Sequence, residues 1–239
     1  MHCFSMSTKP NSWIATPFLA SVRLGLAAAF VIAPAALLKA EDLEPLKLDL
    51  PAPAFKGTPK DMVVDPNVEP LSDKPRAPFM VPAGLKNLAR GKKPTSSVPG
   101  SNTGIELIVD GDKEAYDTSI YLVKKGSQWV QLDLGETAEL FAIVVWHAHD
   151  TAKIYRDVVV QVSNDENFAD GVQTLFNNDR DNSSGQGAGK DREYFESAEG
   201  RLIDAKGVKA RYVRCHSKGS TESALNEYTE IEVYGRPAR

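Results

Sequence analysis

The sequence predicts an all-β sandwich, and three observations carry that prediction. From Asn87 onward, apolar residues alternate or run in short blocks closed by turn residues, as strands do. Trp129-Val130-Gln131-Leu132-Asp133-Leu134 alternates, with 130, 132 and 134 on one face. Phe141-Ala142-Ile143-Val144-Val145-Trp146 is a continuous apolar run, the pattern of a strand covered on both sides, and no long amphipathic helix breaks the series.

The remaining elements follow in order. Gly135 is expected to end the first strand. Val158-Val159-Val160-Gln161-Val162 is rich in β-branched residues and closes on the turn Ser163-Asn164-Asp165. Val172–Phe176, Arg211–Arg214 and Glu230–Tyr234 complete a set of short strands. Between 177 and 191 a polar, glycine-rich insert breaks the rhythm. Loops of that length in compact domains serve a function or lack order.

Two segments precede the sandwich. Leu24–Leu38 is a short apolar run with Lys9 and Arg23 before it and Lys39-Ala40-Glu41-Asp42 after it, which reads as a secretory signal over 1–40. It falls short of the ~20 apolar residues of a spanning helix, and Pro34 interrupts it, so no stable membrane span is expected. An uncleaved anchor is the competing reading. The expected location is secreted, periplasmic or cell-surface. From 41 to 86 prolines recur at 45, 51, 53, 59, 66, 70, 75, 78 and 82, which excludes helix and central strand. This segment is either an extended linker or a strap, laying Met62-Val63-Val64 and Phe79-Met80-Val81 along the sandwich.

Composition narrows the partners. With 28 Lys+Arg against 32 Asp+Glu the net charge is −4, without the basic surplus that nucleic acid requires. Cys3 would leave with the signal. Cys215 would then stand alone, and its place in an apolar alternation marks a core residue.

Four segments, Asn87-Leu88-Ala89-Arg90-Gly91-Lys92, Trp129–Gly135, Ala210-Arg211-Tyr212-Val213-Arg214 and Glu230-Ile231-Glu232-Val233-Tyr234-Gly235, together resemble the discoidin, or coagulation factor type C, family. The resemblance spans about residues 87–236 and implies a discoidin-type jelly-roll β-sandwich. It also implies non-catalytic binding of glycans, lipid head groups or proteins. Carried over by position, it implies a structural calcium held by the Leu107 carbonyl, the Asp110 carboxylate, the Asp112, Ala115 and Thr229 carbonyls and the Glu230 carboxylate. Ala115 departs from the family's usual Thr and removes one oxygen. The alternative is that Asp110-Gly111 is a plain turn and Glu230 a strand residue.

His147-Ala148-His149-Asp150 leaves the Phe141–Trp146 strand. If the chain stays extended, both imidazoles face one side, but no third metal ligand is visible. His147, His149, Tyr155 and Arg156 have the residue types that meet sugar rings and hydroxyl pairs, and form the expected glycan site. The competing reading is a polar loop with Arg156 paired to Asp150 or Asp157. The insert's Asp179-x-Asp181-x-Ser183 is no EF-hand, because Lys190 stands where the closing Glu belongs. No Gly-x-Ser-x-Gly or His-Glu-x-x-His motif occurs. The expected function is an exported, non-catalytic glycan-binding module, with a structural or protein-interaction module as the alternative.

Overall fold

The chain divides into two units, Met1–Lys39 and Ala40–Arg239. The computed structural model describes residues 42–60, 65–100 and 104–238. The expected signal, Cys3 and Met62-Val63-Val64 therefore lie outside the described residues. Among those described, no helix is long and apolar enough to cross a membrane.

The strands are β1 (Leu43–Pro45), β2 (Val68–Glu69), β3 (Met80–Pro82), β4 (Lys86–Asn87), β5 (Thr95–Ser96), β6 (Tyr121–Val123), β7 (Gln128–His147), β8 (Val159–Ser163), β9 (Gln173–Asn177), β10 (Glu193–Tyr194), β11 (Arg201–Ser217) and β12 (Asn226–Pro237). The main sheet runs β4-β12-β7-β11-β8-β9, with β5 added on β7 and β6 on β12. β7 and β11 build both layers of the sandwich. The first half of β7 pairs β5 and the second half pairs β12, while β11 follows β7 along both halves.

Gly135 does not end a strand, as expected, but bends one. Its φ of 89° lets β7 turn and continue to His147, the ladder with β11 breaking after Asp133 and resuming at Ala138. Opposite this bend the partner strand β11 shifts register between Ala210 and Tyr212, which pair Ala138 and Asp133; a second shift, between Asp204 and Val208, falls at Lys206 and Gly207, with φ of 51° and 75°. The segments expected as two strands are thus halves of one. Their inward residues meet in a single core: Val130, Leu132 and Leu134 from the first half, Leu140, Ile143 and Val145 from the second, with Val213, Cys215, Ile231 and Val233. Each such side chain contributes roughly 1.5–3 kcal/mol on burial.

The described residues of 41–86, called the strap from here on, make the following contacts. β1 pairs β3 antiparallel, and β2 joins β10 in parallel. Three arginines fasten it. Arg192 Nη2 donates to the carbonyls of Pro66 (3.0 Å) and Val68 (2.6 Å). Arg201 grips both oxygens of Glu69 at 2.7 and 3.2 Å. Arg76 of the strap donates to the carbonyls of Glu199 (2.8 Å) and Gly200 (2.5 Å). Val68 is buried with Ile154 and Phe195 in a small second core under the strap.

Candidate functional site

The loop leaving β7 divides the residues expected to face a sugar. His147 is fully buried. Its ring stacks on Tyr155 at 4.2 Å and tilts against Tyr228 at 4.6 Å, and its Nδ1 lies 3.0 Å from the equally buried Glu196 Oε2. Tyr155 is also fully buried, and its hydroxyl donates to Glu227 Oε2 at 2.7 Å. Burial, and then the Glu227 carboxylate, push its phenol well above the ordinary value. His149 is buried too, with Nε2 2.8 Å from the Lys113 carbonyl. The two histidines do not converge, because β7 ends at His147 and the alternation stops there.

Three of the four expected contacts are therefore corrected: His147, His149 and Tyr155 have no face open to a ligand. They hold the loop in place, which residue type alone could not distinguish from contacting a sugar.

Arg156 is the exception. Its backbone is pinned to the neighbouring loop: its N–H donates to the Gly219 carbonyl and its carbonyl accepts from Lys218 N–H, each at 3.0 Å. Its side chain is exposed and, among the described residues, makes no hydrogen bond or ion pair. Neither expected partner is engaged with it. Asp150 pairs with Lys153 at 2.9 Å, and Asp157 lies 3.5 Å from Lys218 Nζ.

Arg156 lines two clefts. One, of about 390 Å³, is bounded by strap residues Asp65 and Asn67, by Asn178 and Asp181 of the insert, and by Glu193. The other, of about 400 Å³, lies toward Gly126 and Ser220–Ala224. No aromatic ring lines either. Desolvation raises the Glu193 carboxyl above the ordinary value, and nearby Arg156 partly offsets this. The contribution of Asp65, Asn67 and Glu193 is a long-range consequence of strap docking, for which local sequence carries no signal.

The insert is held by its own polar side chains. Asp179 accepts from Ser183 N–H (3.0 Å), Ser184 N–H (2.8 Å) and Ser184 Oγ (2.5 Å), and Asn182 Oδ1 accepts from Gly187 N–H at 2.7 Å. The Asp157, Asp179 and Asp181 carboxylates lie within 4.8 Å of one another. Donors from Ser183, Ser184 and Lys218 surround them.

The residues expected to hold calcium form a separate corner. Leu107 belongs to the 3-10 turn Ile105–Val109, which packs on β12. Glu230 is fully buried. Its Oε2 accepts from Gly111 N–H at 3.1 Å, while Oε1 has no partner among the described residues, and neither has the buried Oγ1 of Thr229. Desolvation pushes the Glu230 carboxyl up to about 8. Asp110 Oδ1 accepts from Asp112 N–H, leaving Oδ2 available. The Asp112 carboxylate is taken by Glu114 N–H and Ser119 Oγ, so its carbonyl is the atom it has to offer. Gly111 needs its φ of 88°, and a Cβ there would collide with Arg90. A buried carboxylate oxygen without a donor, beside turn carbonyls, suits a hard cation, so the residues fit calcium. Asp110 and Glu230 would supply the charge, and Leu107, Asp112, Ala115 and Thr229 the carbonyls.

Cys215 is not an activated nucleophile. Cys215 is buried, which pushes its thiol up to about 12, and His216 beside it is held at about 4, chiefly by burial and then by Arg214.

The family model described as a NedA-like, galactose-binding domain, of the F5/F8 type C class, matches residues 107–215. No curated protein matches the chain significantly. Among solved structures, a family 89 glycoside hydrolase from Clostridium perfringens aligns with TM-score 0.49 and 18% identity over 64% of this chain; the match spans only 15% of the hydrolase. A fucose-binding module from Streptococcus pneumoniae aligns with TM-score 0.45 and 21% identity, over 63% of this chain and 98% of its own. A chitosan-binding module from a Paenibacillus sp. IK-5 chitosanase/glucanase gives TM-score 0.44 and 21% identity, over 63% and 99%.

Proposed function

We propose, from the premise that this chain carries a galactose-binding-like domain of the coagulation factor type C family, that it is a non-catalytic module recognising a glycan through Arg156. The observation that carries the reading is the unpaired Arg156 guanidinium, fixed by its backbone between two polar clefts. Planar donors beside carboxylate acceptors suit pairs of sugar hydroxyls, each of which both donates and accepts. Without an aromatic platform, recognition rests on hydrogen bonds, and affinity for a single sugar is modest. Calcium at Asp110 and Glu230 serves stability, tying the first loop to the last strand. The module acts outside the cytosol, with the N-terminal segment as its export signal.

A protein-interaction role is the second reading, favoured by the strap. Leu43, Met80 and Leu50 are 59%, 47% and 44% exposed, and an apolar groove of about 480 Å³ lies between Leu46, Leu48, Pro78, Phe79 and Leu202.

A glycan array probed with the full chain in calcium tests the first reading. Binding should be lost in Arg156→Ala with the melting temperature unchanged. Failure to bind any glycan, or binding indifferent to Arg156→Ala, counts against it.

A further inference from the structure

Resting on the glycan reading above, we propose that the cleft between the β6–β7 turn and the β11–β12 loop receives an oxyanion carried on the sugar, a sulfate or phosphate half-ester. The module would then select esterified over neutral glycans.

The two clefts beside Arg156 differ in charge. The one facing the strap and the insert sets the carboxylates of Asp65, Asp157, Asp181 and Glu193 against Arg156, Arg180 and Lys218. The other sets Lys125, Arg156 and Lys218 against Glu222 alone. Like charges around one cleft repel, and a bound anion relieves that repulsion.

The fold imposes this gathering of cations from three separate segments. Lys125 lies on the turn between β6 and β7, Arg156 on the loop after β7, and Lys218 on the loop after β11. Fully buried Asn226 ties the first segment to the third. Its Nδ2 donates to the carbonyls of Lys124 (2.7 Å) and Gly126 (3.1 Å), and its Oδ1 accepts from Gly219 N–H (2.9 Å). The backbone bonds of Arg156 to Lys218 and Gly219 add the second segment. Little within the chain offsets the charge. The Lys125 side chain, like that of Arg156, is exposed and makes no hydrogen bond or ion pair among the described residues. Lys218 Nζ reaches Asp157 Oδ2 only at 3.5 Å, too far for a strong hydrogen bond.

Hydrogen-bond polarity narrows the ligand. Thr221 Oγ1 accepts from Ile154 N–H and Ser223 Oγ from Leu225 N–H, each at 3.1 Å, which leaves both hydroxyl protons to donate. With the three cations they make a lining rich in donors, in which Glu222 is the only carboxylate. A sugar hydroxyl would bring a further donor to this place, whereas an ester oxyanion only accepts. Its three terminal oxygens can be met from three segments at once. The cleft volume of about 400 Å³ leaves room for the ring that carries the ester.

An array pairing each neutral oligosaccharide with its sulfate- and phosphate-monoester forms tests this on the full chain. Calorimetry on the tightest set gives the affinities, and phosphatidylserine vesicles serve as a separate probe. At least one ester should bind about tenfold tighter than its neutral parent, the gain of a charge-assisted hydrogen bond, and the tighter ester is the group the cleft takes. That gain should shrink as sodium chloride rises from about 0.1 M to about 1 M. Lys125→Ala should remove the gain and leave the neutral parent's affinity unchanged, and Lys125→Glu should put both esters below the parent. Esters no tighter than neutral parents that still depend on Arg156 overturn the anion cleft and leave the Arg156 reading standing. A gain that survives both Lys125 variants also overturns it. Binding to the vesicles alone, or to no probe, overturns both.

Discussion

The Asp110–Glu230 corner and the Arg156 cleft hold similar residues in opposite environments. In the corner, a carboxylate is taken fully inside and left with an unpaired oxygen. In the cleft, a guanidinium is held at the surface by its backbone while its side chain stays unpaired. Buried, unmet polarity calls for a permanent occupant, and exposed, unmet polarity for a reversible one. Between them stand His147, His149 and Tyr155, whose polar atoms serve as scaffold.

The largest expected effect falls on that scaffold. Glu196→Ala removes the partner of buried His147 and should cost roughly 3–5 kcal/mol of stability, read as a lower urea midpoint. Arg156→Ala should stay within about 0.5 kcal/mol of the wild type. If the two variants melt alike, the division between scaffold and ligand contact is broken.

The corner comes next. Glu230 keeps its proton in the fold up to about 8, against an ordinary value of 4.5. The metal-free fold therefore binds more protons than the unfolded chain between those values, and this contribution, full at low pH, is lost as pH rises toward 8. Calcium stabilises the ionised form, so the melting-temperature gap between calcium and EDTA should widen from pH 5 to pH 8. Glu230→Gln should remove both the gap and its pH dependence. A gap equal at both pH values contradicts a metal held by Glu230.

Smaller effects sharpen the boundaries. Arg201→Ala releases the bidentate grip on Glu69 and should cost about 1–2 kcal/mol. Proteolysis should also quicken within the strap, while equal cleavage rates would mean the other arginines suffice. The Arg211–Asp133 pair, bidentate at 2.7 and 2.8 Å, is 40% exposed on each side. Solvent screens it, and Asp133→Asn should cost below about 1 kcal/mol.

The sequence carried the sandwich because alternation and β-branched runs are local signals. The Val130–Leu134 face and the doubly covered run through Val145 sit as the pattern required. The bend at Gly135 was less visible, since a glycine that ends a strand and one that redirects it look alike until the partner strand is known. In the corner, Glu230 Oε2 accepts from the N–H of Gly111, the residue after Asp110. The loop after β7 was read by residue type, which says that a histidine hydrogen-bonds but not whether its partner is a sugar or Glu196. The cleft needed the strap, and no local pattern links Asn67 to Arg156 across the fold.

The most direct test is a heteronuclear NMR titration of the full chain with the oligosaccharide that binds it best. The account predicts that Arg156 Nε–H shifts first, with the His147 and Tyr155 rings unchanged. Shifts confined to the groove around Leu46, Leu50 and Phe79 would contradict it and make the strap the binding surface.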